Sequence, residues 1–192
     1  MNLEHRYSLE EIIKGCLEGK NRSQESLYKL MASKMLGVCM RYAKDQFEAE
    51  DMMQNGFVKV FRKIDMYKGE GSFEGWVRRI MVNTSIEFYR KNLRSLNVVD
   101  ISEIQEQEVS TAFDMSSINV KDLMTLIQGL SVGYRMVFNM YAIEGFSHKE
   151  IAAELGITEG ASKSQLSRAR AILRAQVLKM EGQVYETNIG SR

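Results

Sequence analysis

The sequence predicts an all-α protein of two helical domains joined by a flexible acidic linker, and three observations carry that prediction. Proline is absent from all 192 residues, so the strongest helix breaker is missing throughout. Apolar residues recur three and four apart nearly everywhere, the period of an amphipathic helix. Charge is distributed unevenly: residues 1–95 hold 17 Lys/Arg against 13 Asp/Glu, residues 96–119 hold five acids and no base, and residues 160–179 hold five bases and no acid. The net charge of +1 hides two basic blocks flanking an acidic bridge.

The elements follow in order. Ser8 and Glu11 form a capping box that opens a short helix, which Gly19 closes. A second helix over 23–43 presents Leu27, Leu30, Met31, Met35 and Val38 on one face. In a third, over 47–64, Met53, Phe57, Val60, Phe61 and Ile64 make an apolar stripe, and Glu50, Asp51, Gln54 and Asn55 cluster at its start. The glycines of Tyr67-Lys68-Gly69-Glu70-Gly71 interrupt the chain, and Ser72 caps a fourth helix running to about residue 93. Its apolar side carries Phe73, Trp76, Val77, Ile80 and Phe88. Elsewhere it bears Arg78, Arg79, Asn83, Arg90 and Lys91, a surface suited to a nucleic-acid backbone. Residues 96–117 are acidic, rich in Ser and Gln, and aperiodic, which reads as a linker. Helices over 120–128, 131–143, 147–155 and 158–179 complete the chain. The domains therefore read as 1–95 and 120–182, with a linker at 96–119 and a tail at 183–192.

The clearest local signal is Ser147-His148-Lys149-Glu150-Ile151-Ala152-Ala153-Glu154-Leu155-Gly156-Ile157-Thr158. Ser147 and Glu150 form a second capping box, and Ile151, Ala152 and Leu155 make a buried stripe. Gly156 stands where a left-handed residue ends the helix, Ile157 plugs the turn, and Thr158 caps the next helix. Helix, glycine turn and helix is the DNA-binding arrangement whose second member enters the major groove. On that helix Leu166, Ala169 and Leu173 face inward, while Lys163, Gln165, Arg168 and Arg170 fall largely on other faces. His148, beside a cap, reads as a surface residue.

Composition excludes several classes. With 44% apolar and 27% charged residues the chain is a folded protein, and no apolar run approaches the ~20 residues needed to span a bilayer. Glu4, Glu10 and Glu11 make the first residues unlike a signal peptide, so a cytoplasmic protein without membrane insertion is expected. Cys16 and Cys39 fall in separate helices and read as small buried hydrophobes rather than a redox pair. With only His5 and His148 to join them, no zinc site and no cofactor are expected. Asp51 with Glu48 and Glu50 is the sole carboxylate cluster of the N-terminal half, and no second cluster or histidine completes a catalytic site, so an enzyme is not expected.

Two longer segments add a resemblance. Glu48-Ala49-Glu50-Asp51-Met52-Met53-Gln54-Asn55-Gly56-Phe57-Val58-Lys59-Val60-Phe61 resembles region 2.2 of extracytoplasmic-function sigma factors. Gly71-Ser72-Phe73-Glu74-Gly75-Trp76-Val77-Arg78-Arg79-Ile80-Met81-Val82-Asn83 resembles the segment that follows it. The helix-turn-helix is similar to their region 4, including Lys163-Ser164 and Arg168-Ala169-Arg170. The resemblance implies a subunit that binds core RNA polymerase and directs initiation by reading the minus-ten and minus-thirty-five promoter elements. Asp51 and Gln54, with Asn55 beside them, match residues that dock on the β′ clamp helices. The loop over 66–71, with Tyr67 and Lys68, matches the one that captures a flipped base, an extrusion costing a few kcal/mol. Arg79 and Asn83 fall on the segment near the melted DNA, and Lys163, Ser164, Gln165 and Arg168 on the helix that reads the upstream duplex. The implied partners are core polymerase, through its β′ and β subunits, promoter DNA and, as for many family members, an anti-sigma factor.

The sequence departs from the family pattern in places. Asn55-Gly56 replaces the usual Glu-Thr or Glu-Ala, and a mid-helix glycine costs about 1 kcal/mol relative to alanine. Ala161-Ser162 stands where Thr-Val is common, and Gln165 where arginine is common. Glutamine can pair adenine bidentately, which implies an altered upstream preference. The alternative is a polymerase-independent helix-turn-helix regulator, which would have no reason to carry the region 2 pattern.

Overall fold

The computed structural model describes residues 8–95 and 119–189, and every regular element among them is helical. The linker expected at 96–119 lies, but for Asn119, outside the described residues. The chain divides into two compact units, Met1–Tyr89 and Arg90–Arg192.

In the first unit, α1 (Leu9–Leu17) opens with the expected capping box: Glu11 N–H donates to Ser8 Oγ at 3.2 Å and Ser8 N–H to the Glu11 carboxylate at 2.7 Å. The chain leaves it through Gly19 at φ 71°. α2 (Asn21–Met40) buries Leu27, Met31, Met35, Val38 and Cys39. Leu30, expected on that face, is 57% exposed. The buried positions step by four, four and three, and Leu30 falls on the wet side of their stripe. α3 (Gln46–Lys63) starts at a cap that the periodicity did not reveal: Asp45 accepts from Glu48 N–H at 2.9 Å while the Glu48 carboxylate takes Lys44 N–H at 2.6 Å. Two acids thereby quiet the donors of one helix start.

A single 3₁₀ turn, Ile64–Met66, ends α3 and packs against both α1 and α3. After the loop, α4 (Phe73–Ser95) begins where Gly75 N–H donates to Ser72 Oγ at 3.1 Å, as expected. Phe73, Val77, Met81, Val82 and Ile86 are buried, whereas Trp76, Ile80 and Phe88 lie half-buried at the edge. Gly56 is buried in α3, and a Cβ there would overlap the sulfur of Met81, itself fully buried. The helix-weakening glycine is therefore a contact requirement that lets α3 and α4 approach. At the surface Lys59–Glu87 (2.6 Å) joins α3 to α4 and Lys34–Glu74 (2.7 Å) joins α2 to α4, and such pairs are worth about 0–1 kcal/mol. Cys16 and Cys39 are both buried free thiols, and burial pushes Cys39 up to about 11, against a smaller opposing effect of its hydrogen bond with Ser85.

The second unit holds α5 (Val120–Gln128), α6 (Val132–Phe138), α7 (His148–Leu155) and α8 (Glu159–Ile189). Asn119 caps α5 by accepting from Asp122 N–H at 2.9 Å. The helix expected over 131–143 is not α-helical throughout: it widens into a π turn at Asn139–Ile143, with Glu144 N–H bonded to Asn139 O at 3.0 Å. The last helix extends past the expected residue 179 to Ile189. Ile127, Leu130, Met136, Val137, Met140, Ile151, Leu155, Leu166, Ala169, Leu173 and Val177 form the core. Arg135 lies among them, its guanidinium donating to Gln128 O at 2.8 Å.

Candidate nucleic-acid interface

On α3 the residues Ala49, Met52, Met53, Gly56, Phe57 and Val60 face the core. The helical period then forces Asp51 and Gln54 onto the opposite side, and both are exposed, with Asn55 beside them. Asn55 is partly committed, because its side-chain amide donates to Asp51 O at 2.8 Å. Asp51 and Gln54 thus lie side by side on the solvent face of a rigid helix, a carboxylate next to an amide.

The glycine loop is held from within. Tyr67 O–H donates to Gly71 O at 2.8 Å, bridging the loop base. Its ring meets Phe73 edge-on at 5.0 Å and Trp76 at 5.7 Å, and Phe73 and Trp76 stack at 5.6 Å. Gly69 and Gly71 adopt φ 78° and 77°, a region costly to other residues, so the chain can reverse tightly over this aromatic cluster. Tyr67 is half-buried and spent on the loop itself, while Met66 and Lys68 project outward. Arg79 and Asn83 stand one turn apart on α4, both exposed. The loop is a preformed rim with a cation at its edge.

The helix-turn-helix takes the expected form. Glu150 N–H donates to Ser147 Oγ at 3.2 Å, and the Glu150 carboxylate accepts Ser147 N–H at 2.8 Å. That backbone bond, joined by the Ser147 hydroxyl donating to the same carboxylate at 2.7 Å, holds the Glu150 carboxyl below its ordinary range. Gly156 has φ 69° and ψ 33°, the left-handed cap, and Ala161 N–H donates to Thr158 Oγ1 at 3.0 Å. On α8, Lys163 is exposed, and Ser164 and Arg168 are half-exposed.

Gln165 is a correction. It is only 5% exposed, and its amide packs against Gly133 of α6. Residues 162, 165, 166 and 169 all lie on the side of α8 that meets the core, so Gln165 cannot reach a base edge. The outward face instead carries Ser167 and Arg170 with Lys163, at steps of four and three. Ser167 was missed because a serine gives no charge signal; the period measured from Leu166 and Ala169 would have found it.

His148 is also more involved than a surface residue. Its Nδ1 lies 2.9 Å from the Oγ of fully buried Ser162, its ring stacks on Tyr141 at 4.5 Å, and Arg170 lies over the Tyr141 ring at 5.6 Å. Partial burial holds the imidazole below its ordinary value; Lys163 and Arg170 act the same way, and Glu159 opposes them. The Ser162 departure from the usual valine thus makes a polar link between α7 and the start of α8. Among the described residues no group of three or more His, Cys, Asp or Glu could hold a metal ion, and no helix is long and apolar enough to cross a membrane.

Comparison with known proteins connects these surfaces. Residues 27–95 match the model of Sigma-70 region 2, and residues 120–173 that of Sigma-70 region 4. The ECF RNA polymerase sigma factor SigE of Mycolicibacterium smegmatis is 28% identical over 163 residues, covering 82% of this chain and 62% of that protein. The chain belongs to the extracytoplasmic-function sigma factors. The ECF RNA polymerase sigma-E factor of Escherichia coli is 26% identical over 141 residues, 68% of this chain and 74% of that one. Among solved structures, the sigma factor RpoE in complex with the anti-sigma factor NepR from Bartonella quintana has a TM-score of 0.46 at 24% identity, covering 81% of this chain and 96% of that one. This sigma factor therefore spans less than two thirds of the mycobacterial relative's length, and its α3 face and glycine loop lie inside the region 2 match while α7 and the start of α8 lie inside region 4.

Proposed function

We propose that this sigma factor binds core RNA polymerase through Asp51, Gln54 and Asn55 and directs initiation at promoters carrying minus-ten and minus-thirty-five elements. Residues 1–95 act as region 2 and 120–182 as region 4, with 96–119 as tether and 183–192 as tail. The observation that carries the reading is the pairing of the two family matches, in order, with a helix-turn-helix whose glycine cap and exposed Lys163 suit duplex DNA. Lys163, Ser164 and Arg168, joined by Ser167 and Arg170, face the upstream element. Lys68, Arg79 and Asn83 face the melted strand, with Tyr67 shaping the loop that receives a flipped base.

The chemistry is binding alone, and the protein itself catalyses no reaction. It works in the cytoplasm, where polymerase is. Polymerase holds both domains at once, so the second DNA contact becomes intramolecular and gains effective concentration. An anti-sigma factor that covered 51–61 or the start of α8 would silence it. The test is transcription by purified core polymerase, with and without this protein, on a fragmented genomic template. Start-site-specific transcripts that vanish with Asp51→Ala plus Gln54→Ala support the reading. No stimulation, together with tight operator binding by the protein alone, overturns it in favour of a polymerase-independent regulator.

A further inference from the structure

Phe47 is 81% exposed, more than any other large apolar side chain among the described residues, and it sits in the first turn of α3. The start of that helix is capped by Asp45 and Glu48, so Phe47 does no capping, and so little of it is covered that it adds almost nothing to the core. Val58, near the other end, is 46% exposed. Positions 47, 51, 54 and 58 step by four, three and four, which aligns them on one face directly opposite the buried stripe. From Phe47 to Val58 the helix rises roughly 16 Å. The solvent face of α3 therefore reads apolar, acidic, amide, apolar, with Glu48 and Glu50 along its edge.

We propose that Phe47 and Val58 are apolar anchors of the docking face for core polymerase, bracketing Asp51 and Gln54. This rests on the polymerase-docking role proposed above for that pair, and it names two residues that role does not include. Continuity and charge pick the occupant. A partner that meets Asp51 and Gln54 along a helix must also cover the positions one turn before and one turn after them. An acidic strip with apolar ends fits a surface that offers basic side chains at its centre and apolar ones outside. Phenylalanine is among the aromatic residues enriched in the buried cores of protein interfaces, and burying a ring of that size contributes about 1.5–3 kcal/mol.

The test is competition binding of the full-length sigma factor to core polymerase of the same organism, comparing wild type, Phe47→Ala, Phe47→Leu, Val58→Ala and the double variant Asp51→Ala with Gln54→Ala. Phe47→Ala is expected to weaken binding about tenfold or more, Val58→Ala about threefold, and Phe47→Leu much less. Both sites are exposed, so melting temperatures should stay at the wild-type value, and promoter-specific transcription by Phe47→Ala should recover at saturating protein. Wild-type affinity of Phe47→Ala beside a crippled double variant overturns the anchors and leaves the docking pair standing. Wild-type affinity of the double variant as well overturns the docking reading itself. A wild-type dimer that becomes monomeric in Phe47→Ala, with core affinity unchanged, makes a second copy the occupant and also overturns the proposal.

Discussion

Gln165 and Lys163 are two residues apart, yet α8 turns one toward α6 and the other toward water. Substitution should separate them. Lys163→Ala is expected to weaken binding to upstream-element duplex and to reduce the slope of log affinity against log salt by about 1, because one phosphate neutralisation is lost. Gln165→Ala should leave that slope unchanged and lower the melting temperature instead, by removing packing against Gly133. A salt titration with a thermal melt of each variant checks both. His148 gives a pH prediction at the same scale. Its folded pKa lies below its unfolded value near 6.5, so the stability it contributes is fully present above about pH 6.5 and is lost as pH falls through the folded value. Melting followed from pH 7.5 to 5 should show a drop in that window that His148→Gln lacks.

At the scale of elements, two glycines do different things. Gly56 is set by the approach of α3 and α4. Alanine there gains about 1 kcal/mol of helix propensity but overpacks the buried Met81 side chain, a cost of about 1–3 kcal/mol, so Gly56→Ala should be neutral to destabilising by about 2 kcal/mol. Chemical denaturation checks the sign, and in a Met81→Ala background, which removes the overlapping side chain, Gly56→Ala should destabilise less than it does in the wild type. Gly156 has open space around it but a left-handed backbone, so Gly156→Ala should cost about 1 kcal/mol through strain alone, with no second-site relief. Capping boxes, with their fixed Ser-x-x-Glu spacing, are plain in the sequence at Ser8 and Ser147 and both form. The Asp45 cap carries a comparable spacing to Glu48 but does not stand out in a segment already rich in acids. The π turn at Asn139–Ile143 has no signature that distinguishes it from an ordinary helix, since its apolar spacing is much the same.

On the scale of the whole molecule, each of the two units has its own buried residues and helix caps, which is the condition for independent folding. A fragment covering residues 119–192 should therefore retain helical circular dichroism and a cooperative melt when made alone. A non-cooperative melt of that fragment would show that the second unit borrows stability from the rest of the chain. Net charge is a poor guide here because it sums blocks of opposite sign that lie apart along the sequence, basic in 160–179 and acidic in 96–119, whereas a charge acts within about 8–10 Å in physiological salt.

By itself the sequence determined the helical class, the order of the elements, the helix caps at Ser8, Ser72, Ser147 and Thr158, the glycine-turned DNA-binding motif and the position of the Asp51–Gln54 pair. Each of these depends on local periodicity, capping or backbone conformation, which a run of ten or so residues specifies. Tertiary structure alone decided that Gln165 and Ser162 turn inward, that Gly56 serves a helix contact and that Phe47 is left in the water. Those outcomes turn on which neighbour from a distant segment covers a given face. A helical period says which residues share a side, but only packing says which side is covered.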